Sequence, residues 1–125
     1  MANELTVTGS ISYEKDNDSA TFSPDSQQVT VSGQQRTGGV QLLTTTAEVL
    51  ALNEVLVTTQ GWAWFRNIGT DLDTAIQIGI KVSTNFHDVL ELKGGEFAMS
   101  RLAGEALWAK ATSGTLYLEY FIIED

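Results

Sequence analysis

The chain has no cysteine, one proline, one histidine and only seven basic residues among 125. Without thiols it has no disulfide framework, no thiolate nucleophile and no zinc–thiolate site, so an apolar core must hold the fold together. The single histidine, His87, is too few for a histidine-rich metal centre. No serine lies in a Gly-x-Ser-x-Gly elbow. Sixteen carboxylates against seven Lys and Arg give a net charge of -9. That balance disfavours partners bound through phosphates, nucleic acid and anionic membrane alike. No apolar run approaches the roughly 18 to 20 residues of a membrane-spanning helix. The opening MANELTVTGS lacks a basic n-region and an apolar h-region, which predicts synthesis in the cytoplasm without an export signal.

What is present is apolar content, 42% of residues, at a length that suits one domain. Gly and Asp/Asn clusters punctuate the chain at about the 8 to 12 residue spacing of an all-β protein. Leu5 to Tyr13 alternates as one strand, with Leu5, Val7, Ile11 and Tyr13 on one side. Glu14 to Ser19 lacks periodicity and reads as a solvated loop, and Gly33 to Gly39 as a mobile hairpin loop. Two short strands are expected within residues 40–58. Gly61 to Ile68 places Trp62, Trp64 and Arg66 on one face and Ala63, Phe65 and Asn67 on the other. Ile76, Ile78, Ile80 and Val82 share the core face of the next strand. Val89 to Leu92 and Phe97 to Leu102 read as a hairpin joined through Gly94-Gly95. Trp108 falls in the strand Leu107 to Ala111, and Thr115 to Ile123 forms the last. The expectation is a single-domain antiparallel β-sandwich or jelly roll over residues 1–125, of about eight to ten strands, with a flexible N-terminal arm.

Catalytic chemistry finds little support. His87 sits beside Asp88 in a segment read as a loop, and adjacent residues point apart, so a triad is not formed from them. The pairs Asp71/Asp73 and Asp16/Asp18 lack the Gly and distant Glu of a calcium loop and read as solvated turn residues. The glycine-rich stretches join strands and open no helix, so no phosphate cradle is expected. The sequence therefore predicts a protein that is not an enzyme and carries no cofactor and no metal.

The aromatic residues carry more information. Trp62, Trp64 and Phe65 put large rings on both faces of one strand. Tyr117, Phe121 and Ile123 oppose Leu116, Leu118, Tyr120 and Ile122 on another. A sheet with one wet face does not need this. Two explanations stand: the middle of a sandwich with a covering loop, or a surface buried by another subunit. A third is a sugar platform in which Trp62, Trp64 or Trp108 stacks on a pyranose ring while Arg66 or Asn67 bonds its hydroxyls.

The cadence Gly61-Trp-Ala-Trp-Phe-Arg-Asn-Ile-Gly69, Ile76-Gln-Ile-Gly79, Leu90-Glu-Leu-Lys-Gly-Gly-Glu-Phe-Ala-Met-Ser-Arg-Leu102 and Leu118-Glu-Tyr-Phe-Ile-Ile-Glu-Asp125 resembles small all-β structural proteins of tailed bacteriophages. Within that group the size and acidity look most like capsid decoration, or cement, proteins. The resemblance implies a place on the virion surface, the major capsid protein as partner, and a homo-oligomer, with a trimer favoured. It assigns no individual residues. From the residues themselves, Trp62, Trp64, Phe65, Tyr117 and Phe121 are the candidates for a subunit interface. Glu4 and Thr6 of the polar N-terminal segment, with Gln34, Gln35 and Arg36, are the candidates for contact with the shell. A carbohydrate- or receptor-binding module, on a tail or head fibre, is the alternative.

Overall fold

The computed structural model describes residues 4–53 and 55–125. Among these there is no α-helix, only a 3-10 turn at Val57–Thr59, and all strand pairing is antiparallel. The protein is all-β, as the alternation predicts. Among the described residues there are twelve strands, against the expected eight to ten. The chain divides into two compact units, Met1–Ser32 and Gly33–Asp125.

In the first unit β1 (Leu5–Val7) pairs with β4 (Gln27–Val29), and β2 (Ile11–Lys15) with β3 (Asp18–Phe22). The single strand expected over Leu5 to Tyr13 is thus two, broken at Thr8-Gly9-Ser10. The solvated loop expected over Glu14 to Ser19 is instead the end of a tight hairpin. Only Asp16 and Asn17 turn, with Asp16 at φ 55° as such two-residue connections require. At its tip the hairpin is charged on both strands, Glu14, Lys15 and Asp18, so the alternation of Ile11 and Tyr13 does not extend to the turn.

The second unit is a sandwich of two four-stranded sheets. Its strands are β5 (Arg36–Leu43), β6 (Glu48–Val49), β7 (Gln60–Asn67), β8 (Ala75–Val82), β9 (Asn85–Lys93), β10 (Phe97–Arg101), β11 (Trp108–Ala111) and β12 (Leu116–Glu124). One sheet has the order β10-β7-β12-β5, the other β6-β11-β8-β9. The pairs β5–β12, β6–β11, β7–β10 and β8–β9 are nested one inside another along the chain. The stretch expected to be a mobile loop at 33–39 is corrected at Arg36 to Gly39, which open β5 and pair with Tyr120 to Ile123. The expected hairpin across Gly94-Gly95 is also corrected. β9 and β10 lie in different sheets, and the Lys93–Glu96 turn carries the chain between them, with Gly95 at φ 83°.

Period-2 alternation turns Leu43, Ala63, Phe65, Leu118, Tyr120 and Ile122 of the first sheet toward Ile76, Ile78, Leu92 and Ala109 of the second. The alternation in β8 fails after Ile78. There β9 inserts one extra residue, Val89, between the partners of Ile78 and Gly79. A side chain at Gly79 would collide with the His87 carbonyl, so glycine is needed where the backbones close up. Ile80 is then only half-buried and Val82 is exposed, against the expectation of a four-residue core face.

Three polar side chains pin the sandwich. Buried Asn67 of β7 donates through Nδ2 to the Leu92 carbonyl of the opposite sheet at 2.9 Å and accepts from the Gly69 amide. Gln60 donates to the carbonyls of Ala103 and Glu105, closing the connection after β10. Tyr120 donates its hydroxyl to the Ala51 carbonyl at 2.7 Å. Each bond fixes a connection against the core.

Candidate functional site

The sheet β10-β7-β12-β5 alternates so cleanly that its outward face follows from its register. Met99, Trp64, Phe121 and Gly38 lie side by side across the four strands, and Phe97, Arg66, Glu119 and Val40 form the next row. Tyr117 stands opposite Leu42, and Arg101 opposite Trp62. The face is therefore a field of rings and aliphatic groups set with arginines. Phe97 is 56% exposed, Val40 55%, Tyr117 53% and Leu42 46%.

Local packing orders these groups. Trp64 and Phe97 stack with centroids 4.9 Å apart, and Trp64 Nε1 donates to Glu119 Oε1 at 3.3 Å. Arg36 lies 5.8 Å over the Phe121 ring and Arg101 5.9 Å over Trp62, while Arg101 is also ion-paired with Asp125. A Cβ at Gly38 would stand 2.9 Å from the Tyr120 carbonyl oxygen and 3.1 Å from the Phe121 ring edge, so glycine is needed where β5 passes β12. The resulting depression, of about 530 Å³, is lined by Arg36, Gly38, Val40, Trp64, Glu119 and Phe121. All three arginines of the chain, Arg36, Arg66 and Arg101, belong to this one face of a protein with net charge -9. Arginine, tryptophan, tyrosine and methionine are the residues enriched where proteins are buried against partners.

The outer face of β6-β11-β8-β9 is built differently. Trp108, opposite Gly79, is capped by the Lys81 ammonium at 4.5 Å, and Lys110 lies 5.4 Å from the Phe86 ring. Gln77 bonds Glu91 across the strands at 3.2 Å. Val49, opposite Trp108, is exposed on this face, while exposed Val82 ends β8 on the parity of Ile80 and exposed Val89 is the extra residue of the bulge.

Of the five interface candidates, the fold brings Trp62, Trp64, Tyr117 and Phe121 to the first face. Phe65 is a correction: it points inward, is 0% exposed and belongs to the core. The shell-contact candidates do not form one cluster in a single unit. Glu4 and Thr6 lie in the first unit, where the Glu4 carboxylate accepts from the Val31 amide. Hydrogen bonds from its own backbone and from that amide hold its pKa low. Gln34 and Gln35 lead into β5, and Arg36 joins the aromatic face. Val40, Leu42, Phe97, Met99 and Arg101 were not singled out from sequence, because only strand pairing shows that they share a face with the tryptophans. His87 is exposed on β9 rather than in a loop. Among the described residues no group of three or more His, Cys, Asp or Glu side chains is placed to hold a metal ion. No protein-family model, curated protein or solved structure matches this chain.

Proposed function

We propose that this chain is a non-enzymatic virion structural protein of a tailed bacteriophage. In this proposal it is a capsid decoration or cement protein that binds the major capsid protein and its own copies on the outer shell, with a trimer favoured. The nested strand pairing is read as a jelly roll, a rigid frame that presents surfaces without needing a cleft for chemistry. One observation carries the proposal: the arginine-studded aromatic face, apolar enough to gain from burial and ordered enough to give a defined contact. Repetition of a modest contact over a lattice supplies avidity without tight single-site affinity. The acidity of the remainder keeps phosphate-rich partners away.

Light scattering over a concentration series, followed by co-sedimentation with undecorated capsids, tests this. A stable multimer that binds the shells is expected, with Val40→Asp or Tyr117→Asp reducing binding at least about tenfold. Wild-type protein that ignores every capsid offered, or variants that bind unchanged, would overturn it.

The depression beside Trp64 favours a second reading, a carbohydrate-binding module, because Arg36 and Glu119 offer hydroxyl partners next to a ring. Against it, the stacking of Trp64 on Phe97 and the capping of Trp108 by Lys81 occupy one face of each indole. Quenching of tryptophan fluorescence by glycans distinguishes the two.

A further inference from the structure

The first unit poses a problem of stability. None of the described residues 4–32 is buried. The β2–β3 hairpin nonetheless carries Ile11 opposite Phe22 and Tyr13 opposite Ala20, so these four share one face. Ile11 is 70% exposed and Phe22 69%. A two-stranded hairpin in water is marginal, and a bare apolar stripe on it marks a surface that is covered when the protein works.

Charge indicates what covers it. The unit Met1–Ser32 holds five carboxylates, Glu4, Glu14, Asp16, Asp18 and Asp25, against Lys15 alone. Three of them, Glu14, Asp16 and Asp18, sit at or beside the tip of the apolar hairpin. The complementary surface is an apolar face bearing arginines, and the chain has one: the aromatic face of β10-β7-β12-β5, which holds Arg36, Arg66 beside Glu119, and Arg101 paired with Asp125. Chain-to-chain pairing of unlike surfaces gives a heterologous contact, which builds a ring such as a trimer where its rotation closes and an open filament where it does not.

We propose that the β2–β3 hairpin of one copy docks its Ile11/Tyr13/Phe22 stripe on the arginine–aromatic face of a second copy, with its acidic tip toward the arginines. This rests on the reading of that face as an interface and names its occupant. The contact steers by charge and holds by apolar burial, so added salt slows its formation more than its loss.

The absence of native cysteine makes the test clean. Full-length Tyr13→Cys and Val40→Cys proteins are purified separately, mixed and oxidised. The mixed disulfide is expected about tenfold above either homodimer, since docking sets a high local concentration for that pair alone. A statistical mixture of the three dimers overturns the proposal. In parallel, Ile11→Ser with Phe22→Ser is expected to lower the molar mass to that of a monomer while leaving thermal unfolding of the sandwich unchanged. If Tyr117→Asp dissociates the assembly and the hairpin variant does not, the face remains an interface and the hairpin is not its occupant. If neither variant changes a multimeric mass, the reading of the face fails as well.

Discussion

The two outer faces of the sandwich share one construction and have opposite surfaces. Both belong to four-stranded antiparallel sheets, and both carry aromatic rings. On β6-β11-β8-β9 the rings are held under lysine ammonium groups, Lys81 over Trp108 and Lys110 near Phe86. Lysine keeps a strongly hydrated charge over the ring and so keeps water at the surface. On β10-β7-β12-β5 the cations are arginines interleaved with Phe97, Val40, Leu42 and Tyr117, which stay open. Arginine is weakly hydrated and tolerates being covered. An aromatic content that looks alike in the sequence thus takes two surface forms, and the accompanying cation separates them.

The sharpest test of which rings are structural compares neighbours on β7. Phe65→Ala empties a fully buried site and is expected to cost about 3–5 kcal/mol, read from the denaturation midpoint. Trp64→Ala loses mainly the outward stack on Phe97 and is expected to cost about 1 kcal/mol. Equal losses would mean that the outer face is needed for folding and would remove the ground for calling it an interaction surface.

Asn67 comes next in size. Asn67→Leu leaves the buried Leu92 carbonyl and Gly69 amide without their partner and should destabilise by about 2 kcal/mol. Because Asn67 lies on the inner side of β7, association through the outer face should persist in the folded fraction. Loss of association without loss of stability would break the separation of inner and outer roles.

That separation was only partly legible in the sequence. β7, β8 and β12 follow from alternation, because long central strands must distinguish two sides. Alternation alone does not say which side is the inner one. Phe65 reads as an interface candidate since both parities of its strand carry rings, and only the sandwich turns it inward. Arg36 reads as a shell contact in a glycine-rich loop, and only the pairing of β5 with β12 puts it on the aromatic face. Gly38 keeps β5 clear of the Tyr120 carbonyl and the Phe121 ring, a need invisible before β5 and β12 are paired. Met99 and Phe97 join the face only through pairing with β7 across about thirty residues of chain, the kind of non-local register that one-dimensional patterns do not hold.

Tyr120 offers a pH test of the inner side. Burial raises its pKa above the usual tyrosine value of 10.0. The unfolded chain therefore releases the phenolic proton first. Stability from this group is fully present below about pH 10 and is lost as pH rises through the raised folded value. Tyr120→Phe should lower stability near neutrality by about 1 kcal/mol and flatten the alkaline decline. An unchanged decline would assign it to other groups.

The smallest effect probes the second face directly. Lys81→Met keeps most of the aliphatic stem and removes only the charge over Trp108, a cation–π contact worth about 0.5–1 kcal/mol at a partly exposed site. Trp108 emission should shift as the charge above the ring disappears, while the fold persists. If lysine capping is what keeps this face in water, Lys81→Met combined with Lys110→Met should also introduce a self-association absent from the parent, detected as a rise in molar mass with concentration. The reverse exchange, Val40→Lys with Tyr117→Lys, should abolish association through the first face and change stability by no more than about 0.5 kcal/mol. Should the lysine-stripped face stay inert, solubility must reside in its scattered layout rather than in its cations. The contrast between the two faces would then be one of pattern and not of charge.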